Sequence, residues 1–370
     1  MRRIAADYIF PVSAPPLKNG IIEFDDQGKV LSLTDTHGDL KEISRLEYFN
    51  GVLVPGFILP CLRIEPYIFR TRIRDYNDLI RFIHQDLEEL VPEPETDRRF
   101  QDLDLRLFNS GIRGIGCITS KFHFFNNKSE GTINYHSFIE IPLKQQSEAY
   151  ELFNKAIEEI MTAWNEYGLP ASVIPLNCSS DEIMEYIADY STIHDNPLIL
   201  GCRDINPDSI LDNFSAILSR VTGREKEQAM TGFRNPIIII PDYLKEPPEI
   251  INNRTFLLLA PDNLNQIDPL HCKNEYWTRF SANILFSSQL LDYNPDVTVI
   301  YELKSLQVKN PWLQFQDLLR CFTLNPARAL CLNNQSGTLV PGKKPGLNLI
   351  TNFDYDNFKL KETSEIVPII

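Results

Sequence analysis

The sequence lacks any long apolar segment. No unbroken apolar run reaches the about 18 residues that a membrane-spanning helix requires. Arg2 and Arg3 give the start of the chain positive charge, but Asp7 interrupts the apolar stretch before the core of a signal peptide could form. We therefore expect no membrane partner and a cytoplasmic location.

Paired cysteines and an excess of positive charge are also missing. The seven cysteines are scattered without a C-x-x-C pair, which predicts reduced, buried thiols and agrees with a cytoplasmic protein. Fifty acidic residues against 36 basic residues give a net charge of -14. Such a balance disfavours nucleic acid and anionic membranes as partners, because both are negatively charged.

Histidine is scarce and has no metal-binding spacing. No two of the six histidines form H-x-H or H-x-x-H, whereas a catalytic zinc site typically has three protein ligands. Only His123 and His271 follow predicted strands, so a site built from these two and a cysteine is the remaining metal alternative. The six are His37, His84, His123, His136, His194 and His271.

Short apolar segments separated by turn residues occupy both ends of the chain. Residues 4–10, 20–24, 30–33 and 47–50 predict a β-meander, and residues 336–350 return to strands and tight turns. Pairing of the two ends would form a small, discontinuous β-sandwich domain from residues 1–52 and 332–370.

The middle of the chain alternates strands and helices. Eight short apolar strands are predicted, most of them joined by helical connections such as 77–90, 147–167 and 181–190. This pattern is typical of an α/β protein with a (β/α)8 TIM-like barrel, here over residues 53–331. The predicted strands are 54–58, 114–119, 135–141, 172–175, 197–201, 236–240, 255–260 and 283–287.

Motifs at the two chain ends resemble the amidohydrolase superfamily, in particular its cytosine deaminase and chlorohydrolase-like branch. At the start these are the hairpin Asn19 to Val30 and the segment Asn50-Gly-Val-Leu-Val-Pro-Gly-Phe57. Towards the end they are Thr323-Leu-Asn-Pro-Ala-Arg-Ala-Leu330 and Gly337-Thr-Leu-Val-Pro-Gly-Lys-Lys-Pro-Gly346. The resemblance covers essentially the whole chain.

The resemblance implies a zinc- or iron-dependent hydrolase of C–N bonds. In that family the first barrel strand continues as His-x-His, and a strand-5 histidine and a strand-8 aspartate complete the metal site. A strand-6 histidine and a glutamate after strand 5 move protons. Such a site generates a metal-bound hydroxide near neutral pH.

Carried over residue by residue, the family pattern loses its metal ligands in this chain. The His-x-His falls on Cys61 and Arg63, and only Asp204, where a glutamate is expected, keeps the chemical type. The remaining family positions fall on Leu176, Gly201, Pro241 and Ser288. Glu65, Glu140 and Asp242 are further carboxylates at or near predicted strand ends. We therefore expect no metal and no cofactor.

Arg63 and Cys61 each have two interpretations. A guanidinium keeps its charge and excludes a divalent cation, so Arg63 would replace the metal and pair with Asp204, or it would point to solvent. Cys61 beside a cation could be a nucleophile, or an inert buried thiol in the space of a former ligand.

Two functions are compatible with this sequence. The first is an amidohydrolase-like protein that has lost metal-dependent hydrolase or deaminase activity and binds a small molecule in the barrel mouth, or a partner protein. The alternative is an active hydrolase of a C–N bond in a heterocyclic or amidine-like substrate, with a rearranged or metal-free site around Cys61, Arg63, Asp204 and Ser288. A homodimer is the default expectation for symmetric soluble enzymes of this kind.

Overall fold

A computed structural model gives the architecture of most of the chain. It describes residues 1–74, 76–141, 148–175, 181–202, 207–241, 253–259, 277, 281–287, 294 and 298–370. All structural statements below refer to these residues. No helix in these ranges is long and apolar enough to cross a membrane.

Both ends of the chain contribute to one seven-stranded sheet. Its order is β15-β14-β5-β1-β3-β4, with β2 paired to β1. β1 and β5 are parallel, and β14 pairs antiparallel with β5, so the predicted pairing of the two chain ends is confirmed. The strands are β1 (Arg2–Ile9), β2 (Leu17–Lys18), β3 (Ile21–Phe24), β4 (Val30–Thr34), β5 (Leu46–Pro55), β14 (Leu347–Asp354) and β15 (Lys359–Pro368).

The strands of the central region alternate with helices in chain order. They form two four-stranded sheets, β6-β7-β8-β9 and β10-β11-β12-β13, and β9 lies beside β10. The predicted α/β class with a (β/α)8 TIM-like arrangement is confirmed. These strands are β6 (Phe57–Arg63), β7 (Ile112–Thr119), β8 (Asn134–Ile141), β9 (Ala171–Pro175), β10 (Leu198–Cys202), β11 (Ile237–Pro241), β12 (Thr255–Leu259) and β13 (Ile284–Phe286).

Within the described residues, helices connect most of these strands, and further helices lie between β13 and β14. They are α1 (Glu65–Ile68), α2 (Tyr76–Arg81), α3 (Leu87–Glu89), α4 (Pro94–Asn109), α5 (Phe125–Glu130), α6 (Ala149–Tyr167), α7 (Asp181–Ile193), α8 (Pro207–Thr222), α9 (Lys226–Gly232), α10 (Val299–Lys309), α11 (Phe315–Phe322) and α12 (Leu324–Ala329). A π-helical turn, Phe82–Asp86, joins α2 to α3.

The boundary predicted for the first barrel strand was wrong. This strand, predicted at 54–58, begins at Phe57 and runs to Arg63, because the preceding apolar residues belong to β5, which ends at Pro55. Further along the chain, Pro94 is the first residue of α4. Proline is well suited to that position because its missing N–H would have no helical partner.

The chain divides into two compact units, each with its own core. One comprises Met1–Leu59, Leu103–Gly114 and Pro295–Ile370, and the other comprises Pro60–Asp102 and Ile115–Asn294. In the first, Ile4, Ile22, Phe24 and Leu53 are fully buried and pack in one apolar cluster with Leu347. In the second, the strand ends carry the polar side chains of the candidate site.

Candidate functional site

The site is built from the carboxyl ends of β6, β7 and β8. β6 is buried at every residue, so Arg63 reaches its end inside the protein with only 2% of its surface exposed. The solvent-facing interpretation of Arg63 is therefore wrong. A buried guanidinium needs anionic or polar partners, because its desolvation is otherwise costly.

Glu140 and Ser120 supply those partners. Arg63 Nη2 donates to Glu140 Oε2 at 2.6 Å, and Arg63 Nη1 donates to Ser120 Oγ at 3.1 Å. Ser120 Oγ in turn donates to the same Glu140 oxygen at 2.7 Å. Glu140 is the seventh residue of β8 and is 6% exposed. The three side chains thus form a closed, buried ring of hydrogen bonds. We use the name Arg63 cluster for these three residues and Glu65.

Glu65 completes this cluster from the first turn after β6. Its carboxylate accepts backbone N–H groups from Ser120, Lys121 and Phe122 at 3.0–3.2 Å, and its Oε2 lies 3.7 Å from Arg63 Nη1. Burial raises the pKa of the Glu65 carboxyl, while Arg63 and the three N–H donors oppose that rise. Among the described residues, the Glu65 oxygens face only hydrogen-bond donors and the Arg63 cation. This geometry stabilises the ionised carboxylate.

Cys61 lies on the same strand as Arg63 and is fully buried. Burial raises the pKa of its thiol, and the nearby charge of Arg63 acts in the opposite direction without restoring the ordinary value. A nucleophilic cysteine requires a lowered pKa, so Cys61 is held as a neutral thiol.

The histidines near these strands are neutral and structural. His123 Nδ1 lies 2.8 Å from Thr119 Oγ1, and His136 Nε2 lies 2.7 Å from Ser172 Oγ. Burial lowers the pKa of each imidazole to about 3, and the charge of Lys128 adds to both shifts. A general base for neutral pH needs a pKa near the operating pH, so neither ring has the required properties.

Only two of the other predicted site positions lie within the described residues. Gly201 and Pro241 lie at the carboxyl ends of neighbouring strands, where Gly201 pairs with Ile240 and Cys202 with Pro241. A Cβ added to Gly201 would meet nothing closer than Ile240 Cβ at 3.8 Å, so sterics do not explain the glycine. Leu176, Asp204, Asp242 and Ser288 lie outside the described residues, as does His271. The predicted pairing of Arg63 with Asp204 therefore stays a prediction.

Ser120 is the member of this cluster that the sequence analysis missed. It follows directly on the last residue of β7, Thr119, and so occupies the strand end where barrel sites are built. A small polar residue at that position is the signal that would have identified it.

The donor set at the end of β6 does not fit a divalent metal ion. The two residues at the expected ligand positions are a neutral thiol and a permanent cation, whereas zinc and iron sites need thiolate, imidazole or carboxylate donors. Both carboxylates nearby, Glu65 and Glu140, already face Arg63. Within the described ranges, no group of three or more histidine, cysteine or acidic residues could hold a metal.

A cavity of about 160 Å³ opens beside the Arg63 cluster. Ser120 and Glu140 contribute to its wall, together with apolar side chains from β8, α6 and the segment around the π-helical turn. The lining residues are Ile83, Leu87, Glu88, Ser120, Lys121, His123, Ile139, Glu140, Ile141, Leu152, Lys155, Ala156 and Glu159.

Comparison with solved structures identifies the fold. The chain is similar to Helicobacter pylori aminofutalosine deaminase, with a TM-score of 0.68, 14% identity and complete coverage of both chains. Atrazine chlorohydrolase TrzN from Arthrobacter aurescens, solved with zinc, gives a TM-score of 0.67 at 14% identity, covering 97% of this chain and 90% of that chain. E. coli guanine deaminase gives a TM-score of 0.60 at 14% identity, covering 95% of this chain and 89% of that chain.

These similarities establish an amidohydrolase-type fold and not a reaction, because the identities are low. No family model matches the sequence, and no curated protein matches it. The function therefore has to be argued from the residues of the site.

Proposed function

We propose that this protein is a non-catalytic relative of the amidohydrolase-type deaminases and hydrolases, and that it binds a small molecule instead of transforming one. The observation that carries the proposal is the buried pairing of Arg63 with Glu140 at 2.6 Å. It lies at the end of the strand where the family resemblance places two metal ligands.

The Arg63 cluster supports the proposal because it fills the chemical role that a metal ion would have. A divalent cation stabilises carboxylates at the strand ends, and here a guanidinium does so with two carboxylates and a hydroxyl. A guanidinium cannot lower the pKa of a bound water in the way that zinc does, and it cannot be deprotonated. The cluster therefore maintains the architecture of the strand ends without supplying a hydroxide nucleophile.

The described residues also give little support to a metal-free hydrolase. Such an enzyme needs a nucleophile or a proton acceptor that is active near neutral pH. Cys61 is a buried thiol with a raised pKa, and burial holds the pKa of His123 and of His136 at about 3. None of these three groups has the protonation behaviour that the alternative function requires.

The proposal is tested by measuring metal content and turnover on the same protein preparation. The chain is expressed with zinc and iron supplied in the medium, and bound metal is quantified by mass spectrometry. Deamination and dechlorination are then assayed on purines, pyrimidines and chlorinated triazines. We expect metal well below one ion per chain and no turnover, with a zinc-dependent deaminase in parallel as the positive control.

The opposite result has a clear signature. About one zinc or iron per chain, together with turnover that a chelator abolishes and metal restores, would overturn the proposal. Turnover that survives chelation would favour the metal-free hydrolase instead. In that case turnover by the Arg63→Lys variant provides a second readout, since lysine keeps the positive charge but loses the two-pronged contact to Glu140 and Ser120.

A further inference from the structure

Glu140 lines the cavity beside the Arg63 cluster and has unused hydrogen-bonding capacity. Both hydrogen bonds of Glu140 use Oε2, and Oε1 has none within the described residues. Glu140 is 6% exposed, yet it lines the cavity. A carboxylate oxygen that no protein donor occupies can accept a hydrogen bond from a ligand, and a charged donor makes the stronger bond.

The charges around the cavity favour a cationic ligand. Arg63 faces two carboxylates, Glu65 and Glu140, and the cavity lining itself has three carboxylates, Glu88, Glu140 and Glu159, against two ammonium groups, Lys121 and Lys155. The Lys121 ammonium, on the cavity rim, is occupied by the backbone oxygens of Leu87 and Glu88 at 3.1 and 2.9 Å. An ammonium group at Glu140 Oε1 would balance this excess of negative charge through a charge-assisted hydrogen bond.

The remaining walls define the body of the ligand. Six of the lining residues are aliphatic and give the cavity apolar surface: Ile83, Leu87, Ile139, Ile141, Leu152 and Ala156. The volume of about 160 Å³ exceeds the need of a single water and falls below the about 300 Å³ at which drug-sized pockets begin. The space therefore suits a short aliphatic chain.

An irregular helix forms one side of this cavity. Ile83 belongs to the π-helical turn Phe82–Asp86, and Leu87 follows it directly. π-helical turns widen a helix locally and occur frequently at functional sites. Ile83 from the turn and Leu87 just after it both contribute apolar surface to the cavity.

We propose that this cavity is a binding site for a small aliphatic amine in its ammonium form, with the ammonium group donating to Glu140 Oε1 and the carbon chain lying against the aliphatic wall. The inference rests on the proposed function in one respect, since it requires Glu140 to remain paired with Arg63 and not with a metal ion. It adds the chemical class of the ligand and the place where it binds.

The test uses n-butylammonium as the probe, with n-butanol and butyrate as neutral and anionic analogues of similar size. Binding to the full chain is followed at pH 7 by NMR titration of each probe. We expect saturable binding of butylammonium that is at least about tenfold tighter than that of butanol, the usual advantage of a charged over a neutral hydrogen bond. Butyrate should show no saturable binding.

Two pairs of variants locate the site. Leu152→Trp fills the cavity from a partly exposed position on α6 and should abolish butylammonium binding, while Leu105→Trp, at an exposed leucine outside the cavity, should not. Glu140→Gln should weaken binding about tenfold or more by removing the charge. Glu158→Gln, on the exposed face of α6, should leave butylammonium binding unchanged.

The outcomes separate this inference from the proposed function. Equal binding of all three probes, or unchanged binding in Leu152→Trp, would overturn the amine site whatever the metal content proves to be. If Glu140→Gln fails to fold, the Leu152→Trp pair still decides the question. A metal-containing, active protein that binds butylammonium in a manner sensitive to Leu152→Trp would overturn the proposed function and leave the amine site standing, with the metal bound away from Glu140.

Discussion

Arg63 and Glu140 are 77 residues apart in the chain, and their side chains meet at 2.6 Å in a place where both are almost fully buried. Breaking a buried ion pair by removing one partner is costly because the other charge loses its compensation. The pair therefore makes the end of β6 and the end of β8 dependent on each other for stability.

Arg63→Met should destabilise the protein by about 3–5 kcal/mol, because it leaves Glu140 and Glu65 buried without their cation. Urea unfolding measures the change. The matched control is Arg81→Met, which removes an ion pair with Asp78 in which the arginine side chain is 59% exposed, and it should cost less than about 1 kcal/mol. The double variant Arg63→Met/Glu140→Leu should recover part of the loss. A single-variant loss no greater than that of the control would contradict the buried-pair argument.

Two histidines with pKa values lowered by burial, His123 and His136, make the protein acid-sensitive, and His136 is the more buried of the two. Its folded pKa of about 3 lies below the ordinary 6.5, so the unfolded chain binds the additional proton. The stabilising effect is fully present above about pH 6.5 and is lost as the pH falls towards 3, with a cost of about 2 kcal/mol at pH 5. Unfolding free energies measured between pH 7 and 5 should therefore decline.

The variant His136→Gln should reduce that decline by about half, since glutamine does not titrate and can still bond Ser172, while His123 still titrates. His37→Gln serves as the control, because the His37 side chain is 89% exposed. A pH profile of His136→Gln that parallels the wild type would show that His136 is not one of the acid-sensitive groups.

Cysteine labelling should distinguish Cys331 from the other three cysteines whose burial the structure describes. Cys331 is exposed, whereas Cys61, Cys117 and Cys321 are buried, and burial raises the pKa of all three. Iodoacetamide at pH 7 should modify Cys331 first and leave these three intact, as measured by peptide mass spectrometry. In urea all four should react. Rapid, selective modification of Cys61 in the folded protein would instead restore the nucleophile interpretation.

Asp7 controls the ionisation of two tyrosines in the sheet of the first unit. It accepts hydrogen bonds from Tyr48 and Tyr355 at 2.7 and 2.6 Å and from the Gly51 N–H at 2.7 Å. Burial and this carboxylate raise the pKa of Tyr48 to about 12. The stabilisation is therefore complete below about pH 10 and is lost as the pH rises towards 12.

Replacing Asp7 by Asn should lower the pKa of Tyr48, because the neutral amide no longer repels the phenolate. Absorbance at alkaline pH follows the ionisation, and Asp35→Asn, at an acid elsewhere in the same unit, provides the control. An unchanged titration curve in Asp7→Asn would exclude the carboxylate as a cause of the shift.

The sequence predicts the fold better than it predicts the contacts of the site. Alternating short strands and helices placed β8 at 135–141, and the structure has it at Asn134–Ile141, because burial of an apolar strand is encoded locally. Burial of Arg63 and its pairing with Glu140 depend instead on which strand ends meet in space. Sequence spacing offered several carboxylates, and only the packing of β6 against its neighbours selects Glu140.

The position of β5 has a consequence for how the chain is made. β5 pairs on one side with β1 and on the other with β14, which is synthesised only after all of β6 to β13. On the ribosome, one edge of β5 therefore remains without its partner for most of translation. Unpaired strand edges attract other chains. Nascent-chain protection by chaperones would thus matter most in the interval before Leu347 emerges.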